Sequence, residues 1–405
     1  MANTIKTLTA GDITRKALSI LHNEMVFTKT INKEYNDRFA RTGAKNGGYL
    51  EIREPNQFTV RTGAIIDVQA VTEATQQLVL ATQKGVDVEF SSAELALSMD
   101  DFSDRILQPA MSRLAAEVDA TVIAGCYPYV YNFENTTFGT KPVLADILAC
   151  RAKLNQGLAP KSDRNAMVDS LAANAIITDG KSLFHAASAI ERQYSQGVLG
   201  EIGGFNFYES EMTPVHTNGS RDDTTPVVDI ATISNGDSTI TTTGADGVCK
   251  KGDVFTIADV YAVNPETKVP YAHLQQFVYT ADKTNDATDV YSISPTIYKS
   301  GAKQNVYAAT WSGSKAIVNV AAGGSGTAST AYVNSLCYHK DAFTFVSADL
   351  EMPQGVDFAA RKVIDGISLR IVRNYDINND TFPCRIDVLF GYKTIRPEWA
   401  VRMCS

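Results

Sequence analysis

The chain has 405 residues, of which 44% are hydrophobic and 20% charged, an ordinary globular composition with room for two or three domains and a substantial core. Its formal net charge of −8 excludes a whole-molecule electrostatic binder of nucleic acid. The opening MANTIKTLTAGDI has no apolar h-region, and no segment approaches ~18 continuous apolar residues, so neither secretion nor a membrane span is expected.

Residues 9–25 predict a helix. Thr9 with Asp12 three residues on resembles a capping box, and Ile13, Ala17, Ile20 and Leu21 share one face. Residues 1–45 carry eight Lys/Arg against four acids, a mild basic excess that reads as solvated surface. No periodicity persists from there to about residue 60, where an extended arm is expected. In 61–90, VDVEF alternates, with Val86, Val88 and Phe90 on one face and Asp87 and Glu89 on the other. Ile66, Val68 and Ala70 suggest an earlier strand, and TEATQQ (72–77) a polar tip. A lone hairpin is marginal in water, so this one is expected to lie on a neighbouring subunit.

Helices are predicted at about 109–124, with Pro109 in its first turn and Gly125 at its end, at 141–157, and at 180–195. From Thr217 to about Thr330 the composition shifts to Thr, Ser, Asp, Gly and Val in short β-like runs broken by turn signals such as Asn235-Gly236 and Lys251-Gly252-Asp253. This predicts a separate, small all-β domain inserted in the chain, with AAGGSGTAST (321–330) as its exit linker. Beyond residue 331, GISLRIV and RIDVLFGY alternate as strands of an antiparallel meander that closes the host sheet.

The chemistry-bearing residues form no constellation. The six cysteines (Cys126, Cys150, Cys249, Cys337, Cys384, Cys404) are scattered, without C-x-x-C, and read as buried free thiols. Five histidines lie far apart, and no G-x-S-x-G elbow is present. The glycines of GEIGGFNFYESEMTP (200–214) lead into Phe205, Phe207 and Tyr208 and are not followed by Lys-Ser/Thr. They read as a turn into a strand, not a phosphate loop. No catalytic residue, cofactor or metal is expected.

Taken in order, these segments resemble the major capsid (coat) protein of tailed bacteriophages, in the Hong Kong 97-like fold. That family often carries G-x-[LI]-x-G, a strand, then Ser and a Met-Pro-like ending. Here Gly200, Ile202, Gly204, Ser210 and Met212 fall in step, with Thr213 interposed before Pro214. DRILQPAMSRLAAEVD (104–119) resembles the start of the spine helix, and 61–90 occupies the place of the E-loop. SLCYHKDAFTFVSADLEMP (335–353) and GYKTIRPEWAV (391–401) resemble the C-terminal strands.

The resemblance implies an α+β fold with an N-terminal arm (1–60), an E-loop hairpin (61–90), and a P-domain with spine helix plus the first part of the A-domain (91–216). An inserted, barrel-like all-β domain (217–330) and C-terminal strands completing the A- and P-domains (331–405) follow. It further implies a virion protein, assembled in the host bacterial cytoplasm into pentamers and hexamers of an icosahedral head. Its partners would be itself, scaffolding and portal proteins, and enclosed double-stranded DNA read without sequence specificity, with room for decoration proteins and no membrane. Contacts between subunits are expected at Arg61, Lys84, Asp87 and Glu89 on the hairpin and at Asp12, Arg15 and Lys16 in the arm. The plain alternative for each is an exposed charge worth ~0–1 kcal/mol. Lys84 is the only lysine in 61–90, and no covalent cross-linking through it is expected. The rival readings are an encapsulin-like compartment, a soluble enzyme with a β-rich accessory domain, and a secreted adhesin.

Overall fold

The computed structural model describes residues 14–15, 17–21, 25–34, 49–66, 68–69, 73–91, 108–134, 140–180, 200–220, 226–244, 247–284, 288–320, 330–364 and 366–404. They fall into two compact units. One draws on 1–52, 76–122 and 344–393, the other on 53–75, 123–343 and 394–405.

The first unit is built on a five-stranded sheet. Phe343–Ala348, Thr381–Thr394, Ile367–Arg373 and Phe358–Ile364 lie in that order, and Thr82–Ser91 also pairs with Thr381–Thr394. The alternation read in the sequence is realised here: Ile367, Leu369, Ile371, Ile386, Val388 and Phe390 are all buried. Pairing of Thr82–Ser91 runs antiparallel over ten positions, from Thr381↔Ser91 to Phe390↔Thr82. The strand VDVEF therefore has a home within its own chain, contrary to expectation. Its partner lies about 300 residues away, and alternation reveals a strand's faces but not its neighbour.

The other expected leg of the hairpin also differs. Ile66 and Val68 are not in a strand, and Thr75–Val79, within and beyond the supposed polar tip, is one. It pairs with Tyr49–Arg53, a strand in what was read as the extended arm. Helix α1 (Gln108–Cys126) matches the predicted 109–124 and buries Met111, Leu114, Ala115, Val118 and Val122 along one stripe. At the N-terminus, the described residues between 14 and 21 are helical, and a single helical turn follows at Phe27–Thr30. Thr9 and Asp12 lie outside the described residues.

The second unit holds a mixed sheet in the order Phe133–Glu134, Ala400–Cys404, Ala331–His339, Arg164–Val168, Phe205–Glu209, Glu201–Ile202, with Val215–Thr217 also on Ala331–His339. Helix α2 (Leu144–Gln156) and helix α3 (Ser170–Gly180) share a core with it that includes Ile147, Leu154, Ile176, Phe205 and Val401. Asp146 accepts the Val143 N–H at the start of α2, and Gly157 ends it as expected. Helix α3 at Ser170–Gly180 was not anticipated, and the expected helix at 180–195 lies, beyond Gly180, outside the described residues. Gly203 and Gly204, at φ +62° and +81°, turn Glu201–Ile202 into Phe205–Glu209, a two-residue connection that needs positive φ at both places. The glycines of GEIGGFNF are a hairpin turn.

Also in the second unit, six antiparallel strands close into a barrel. In ring order they are Val227–Asp229, Ser314–Asn319, Val254–Val263, Pro270–Tyr279, Thr288–Ile297 and Asp237–Thr243, which returns to the first. Closure removes every open edge. The interior is filled by Val228, Ile240, Phe255, Ile257, Phe277, Tyr279, Tyr291 and Ile317, with Phe255 stacked on Tyr279 at 4.3 Å between ring centres. The residues expected as exit linker, 321–329, lie outside the described residues.

Candidate assembly site

Between Tyr49–Arg53 and Thr75–Val79 the chain makes a long excursion, described at residues 54–66, 68–69 and 73–74. It braces itself: Gln69 accepts the Thr59 N–H at 2.8 Å and donates to the Thr59 carbonyl at 2.6 Å, imitating a strand pair. Arg53 and Glu73 form an ion pair at its base. Its side chains are oddly apolar for their exposure, with Val60 95%, Ile65 88%, Val68 86% and Ile66 76% accessible. Single exposed apolar residues are unremarkable, whereas several on one loop mark an interaction surface.

The charged residues expected at subunit contacts are dispersed. Arg61 is exposed on this loop and donates to the Gly63 carbonyl. Lys84 is engaged within the chain, 2.9 Å from Glu117 of α1. Asp87 is exposed and stands opposite Arg385 in register, while Arg385 donates to Asp387 at 2.7 Å. Glu89 and Arg15 are exposed. Asp12 and Lys16 lie outside the described residues. Sequence reasoning missed the carboxylate that organises this strand: Asp387, 1% exposed, receives Arg370, Arg385 and Gln83. Gly85 lies directly across from it, where a Cβ would sit 2.6 Å from the Ile386 carbonyl oxygen and 2.8 Å from Asp387 Oδ1.

A second missed carboxylate fastens the N-terminal segment. Asp119, on α1 and 2% exposed, accepts the backbone N–H groups of Val26 (2.6 Å), Phe27 (3.1 Å) and Thr28 (3.0 Å) and the Thr28 hydroxyl. These N–H groups open the Phe27–Thr30 turn and have no intrahelical acceptor, so a side chain from another helix caps them. Burial pushes the Asp119 carboxyl above its ordinary range, and the four donors pull it back. Leu18, Leu21, Met25, Phe27 and Ile31 are buried alongside. Asn32 bridges to Thr344, and its carbonyl accepts the Phe345 N–H. The described residues 25–34 of the expected extended arm are thus docked on their own chain.

The barrel is joined to the mixed sheet by a buried seam. Register places Val254 opposite Val278 and Phe255 opposite Phe277. The phenylalanines fill the barrel, and the valines join Phe133, Tyr332 and Cys404 outside it. Gln276 clamps the Phe133 backbone, accepting its N–H at 2.9 Å and donating to its carbonyl at 3.0 Å. His216 Nε2 lies 2.7 Å from Asp253 Oδ1, and its Nδ1 lies 3.1 Å from the Tyr127 hydroxyl. Arg402, fully buried, donates to the Gly252 carbonyl at 2.8 Å. Gly252 has φ +100°, and a Cβ there would sit 3.1 Å from the His216 ring. No local motif links His216 to Asp253 or Arg402, so none was available to find them.

Among the described residues, no group of three or more His, Cys, Asp or Glu side chains is placed to hold a metal ion. All six cysteines are free and buried.

Residues 155–404, more than half of the chain, match the model of the family described as P22 coat protein, gene protein 5. Solved structures similar to the chain include one from Mycobacterium phage Che8, at 12% identity, covering 94% of this chain and 90% of that one with a TM-score of 0.48. Another is the capsid structure of the cyanophage P-SCSP1u, at 10% identity, 88% and 82% coverage and a TM-score of 0.41. A third is the capsid of Ralstonia phage GP4, at 7%, 89%, 83% and 0.43. Curated protein sequences give no match. The match defines a structural coat protein of bacteriophage capsids and not an enzyme. The chain belongs to the P22 coat protein family.

Proposed function

We propose that the chain is the major capsid protein of a tailed phage and assembles with itself into pentamers and hexamers of an icosahedral head enclosing double-stranded DNA. Assembly proceeds in the host bacterial cytoplasm around a scaffolding protein and with a portal. In this reading α1 is the spine helix, the five-stranded sheet belongs to the P-domain, and the mixed sheet belongs to the A-domain. The barrel is the insertion domain within 217–330. The E-loop is the excursion at 54–74 with the strands that follow it. Arg61, Asp87, Glu89 and Arg15 remain contact candidates by their exposure, and Lys84 is spent on Glu117.

The observation that carries this reading is the exposed apolar loop. Phe58, Val60, Ile65, Ile66 and Val68 are exposed, and burial of an aliphatic or aromatic side chain contributes about 1.5–3 kcal/mol when complete. A neighbouring subunit covering even half of that surface gains several kcal/mol per contact, repeated by symmetry. The test is sedimentation and negative-stain imaging of the chain expressed with its scaffold, beside Ile65→Asp and Val60→Asp variants. Megadalton closed shells are expected from the parent, and unassembled but folded subunits from the variants. A parent that stays small under all conditions sinks the shell reading. Variants that assemble normally remove the loop from it.

A further inference from the structure

Where the barrel's Lys250–Asp253 turn meets Val215–Thr217, the second unit leaves an open pocket of about 490 Å³ lined by Tyr127, His216, Thr217, Lys250, Lys251 and Asp282. Its carboxylates are engaged. Asp253 takes His216 Nε2 and the N–H groups of Gly219 and Lys250, and Asp282 takes the Lys251 N–H at 2.6 Å. Its cations are not. Among the described residues Lys250 makes no ion pair, and the Lys251 ammonium rests on the Tyr129 ring, 4.4 Å from its centre.

Next to the pocket lies Arg402. It donates to Gly252, the residue after Lys251, and faces the ring of Tyr127 at 5.8 Å. Its Nε and Nη1 have no hydrogen-bond partner among the described residues. Among the described residues, three cations thus stand against two carboxylates, Asp253 and Asp282. Burying a guanidinium is costly, and a further anion held nearby lowers that cost. A concave, partly buried surface concentrates the excess positive field.

We propose that this pocket binds a single oxyanion. Lys250 supplies the direct charged contact, the Thr217 hydroxyl a hydrogen bond, and Arg402 the field from behind. Tyr127 and His216 form one wall and hold each other's polar atoms away from the ligand. The chemistry is shared by a free phosphate and by a carboxylate presented on a second copy of this chain, whose 45 Asp and Glu residues are an ample source.

The test uses the full-length, unassembled chain. It is titrated with inorganic phosphate at constant ionic strength, with chloride as the balancing salt, and in a parallel arm with acetate. The readout is the amide shifts of Thr217 and Lys250–Gly252. Saturable shifts with phosphate are expected, weakened by about tenfold in Lys250→Ala, as befits the loss of one charge-assisted contact. Retention is expected in Lys250→Arg. The Lys250 side chain makes no hydrogen bond or ion pair among the described residues, so both variants are expected to stay folded. Saturation by phosphate and acetate alike assigns a general oxyanion site open to protein carboxylates, and saturation by phosphate alone assigns a phosphate site. Shifts that track ionic strength without saturating, or a Lys250→Ala variant that titrates like the parent, overturn the proposal.

Discussion

Replacing Asp119 with alanine removes the one acceptor that serves three backbone N–H groups and the Thr28 hydroxyl. Hydrogen bonds to a charged group are worth about 1.5–3 kcal/mol each net, and donors left buried without partners carry a further penalty. Against this stands the cost of holding the carboxylate away from water, which is the largest influence on its ionisation. Removing one partner of a buried charged network typically costs about 3–5 kcal/mol, and the same range is expected for Asp119→Ala. The Asp119→Asn variant retains one acceptor but turns an NH₂ toward a donor, and should cost about 2 kcal/mol. Urea unfolding gives the stability change, and hydrogen exchange at Val26, Phe27 and Thr28 shows whether the loss is local. If Asp119→Ala stays within about 1 kcal/mol of the parent and those amides remain protected, the carboxylate is not what fastens the N-terminal segment.

Other outcomes can be checked on the same protein. Gly85→Ala places a Cβ 2.6 Å from the Ile386 carbonyl and should lower stability by about 1–3 kcal/mol, as overpacking does; an unchanged urea midpoint means the two strands separate easily. His273 is held neutral, first by burial and then by the nearby Lys153 charge, with its pKa lowered from 6.5 to about 4. A depressed folded-state value means that its contribution is intact above pH 6.5 and lost as pH falls toward 4. Because the ring is only half-buried, solvent screening reduces the full linkage to about 1–2 kcal/mol. The parent should lose that much between pH 6.5 and 4 relative to His273→Gln, and parallel pH profiles would contradict it. Burial pushes the Cys126 thiol up to about 12 and those of Cys384 and Cys404 to about 11. At pH 8 a thiol reagent should therefore label these residues only as fast as the protein opens, and rapid labelling of the folded protein at any of the three would refute that.

Local rules of this chain were legible before any fold was known. Pro109 and Gly125 bracketed α1, alternation in GISLRIV and RIDVLFGY marked buried strand faces, and Gly203-Gly204 read as a turn. The change of composition at residue 217 announced the β-rich segment that closes as a barrel. All of these follow from steric and solvation preferences acting over a few residues, as the period-2 alternation of the strands does. The partners of those elements were not legible. Thr82–Ser91 was read as half of an exposed hairpin because its partner strand begins at Thr381. The segment after the first helix was read as an extended arm because its acceptor, Asp119, is 91–93 residues away. His216, Asp253 and Arg402 looked like scattered polar residues until the seam brought them together. Hydrogen bonds and buried charges are satisfied by proximity in space, and that proximity exists only after the chain has closed its long loops. The sequence by itself therefore determined which segments form helices and strands and which faces they hide. The tertiary structure alone decided which carboxylate fastens which segment, and which cations are left facing the pocket beside the barrel.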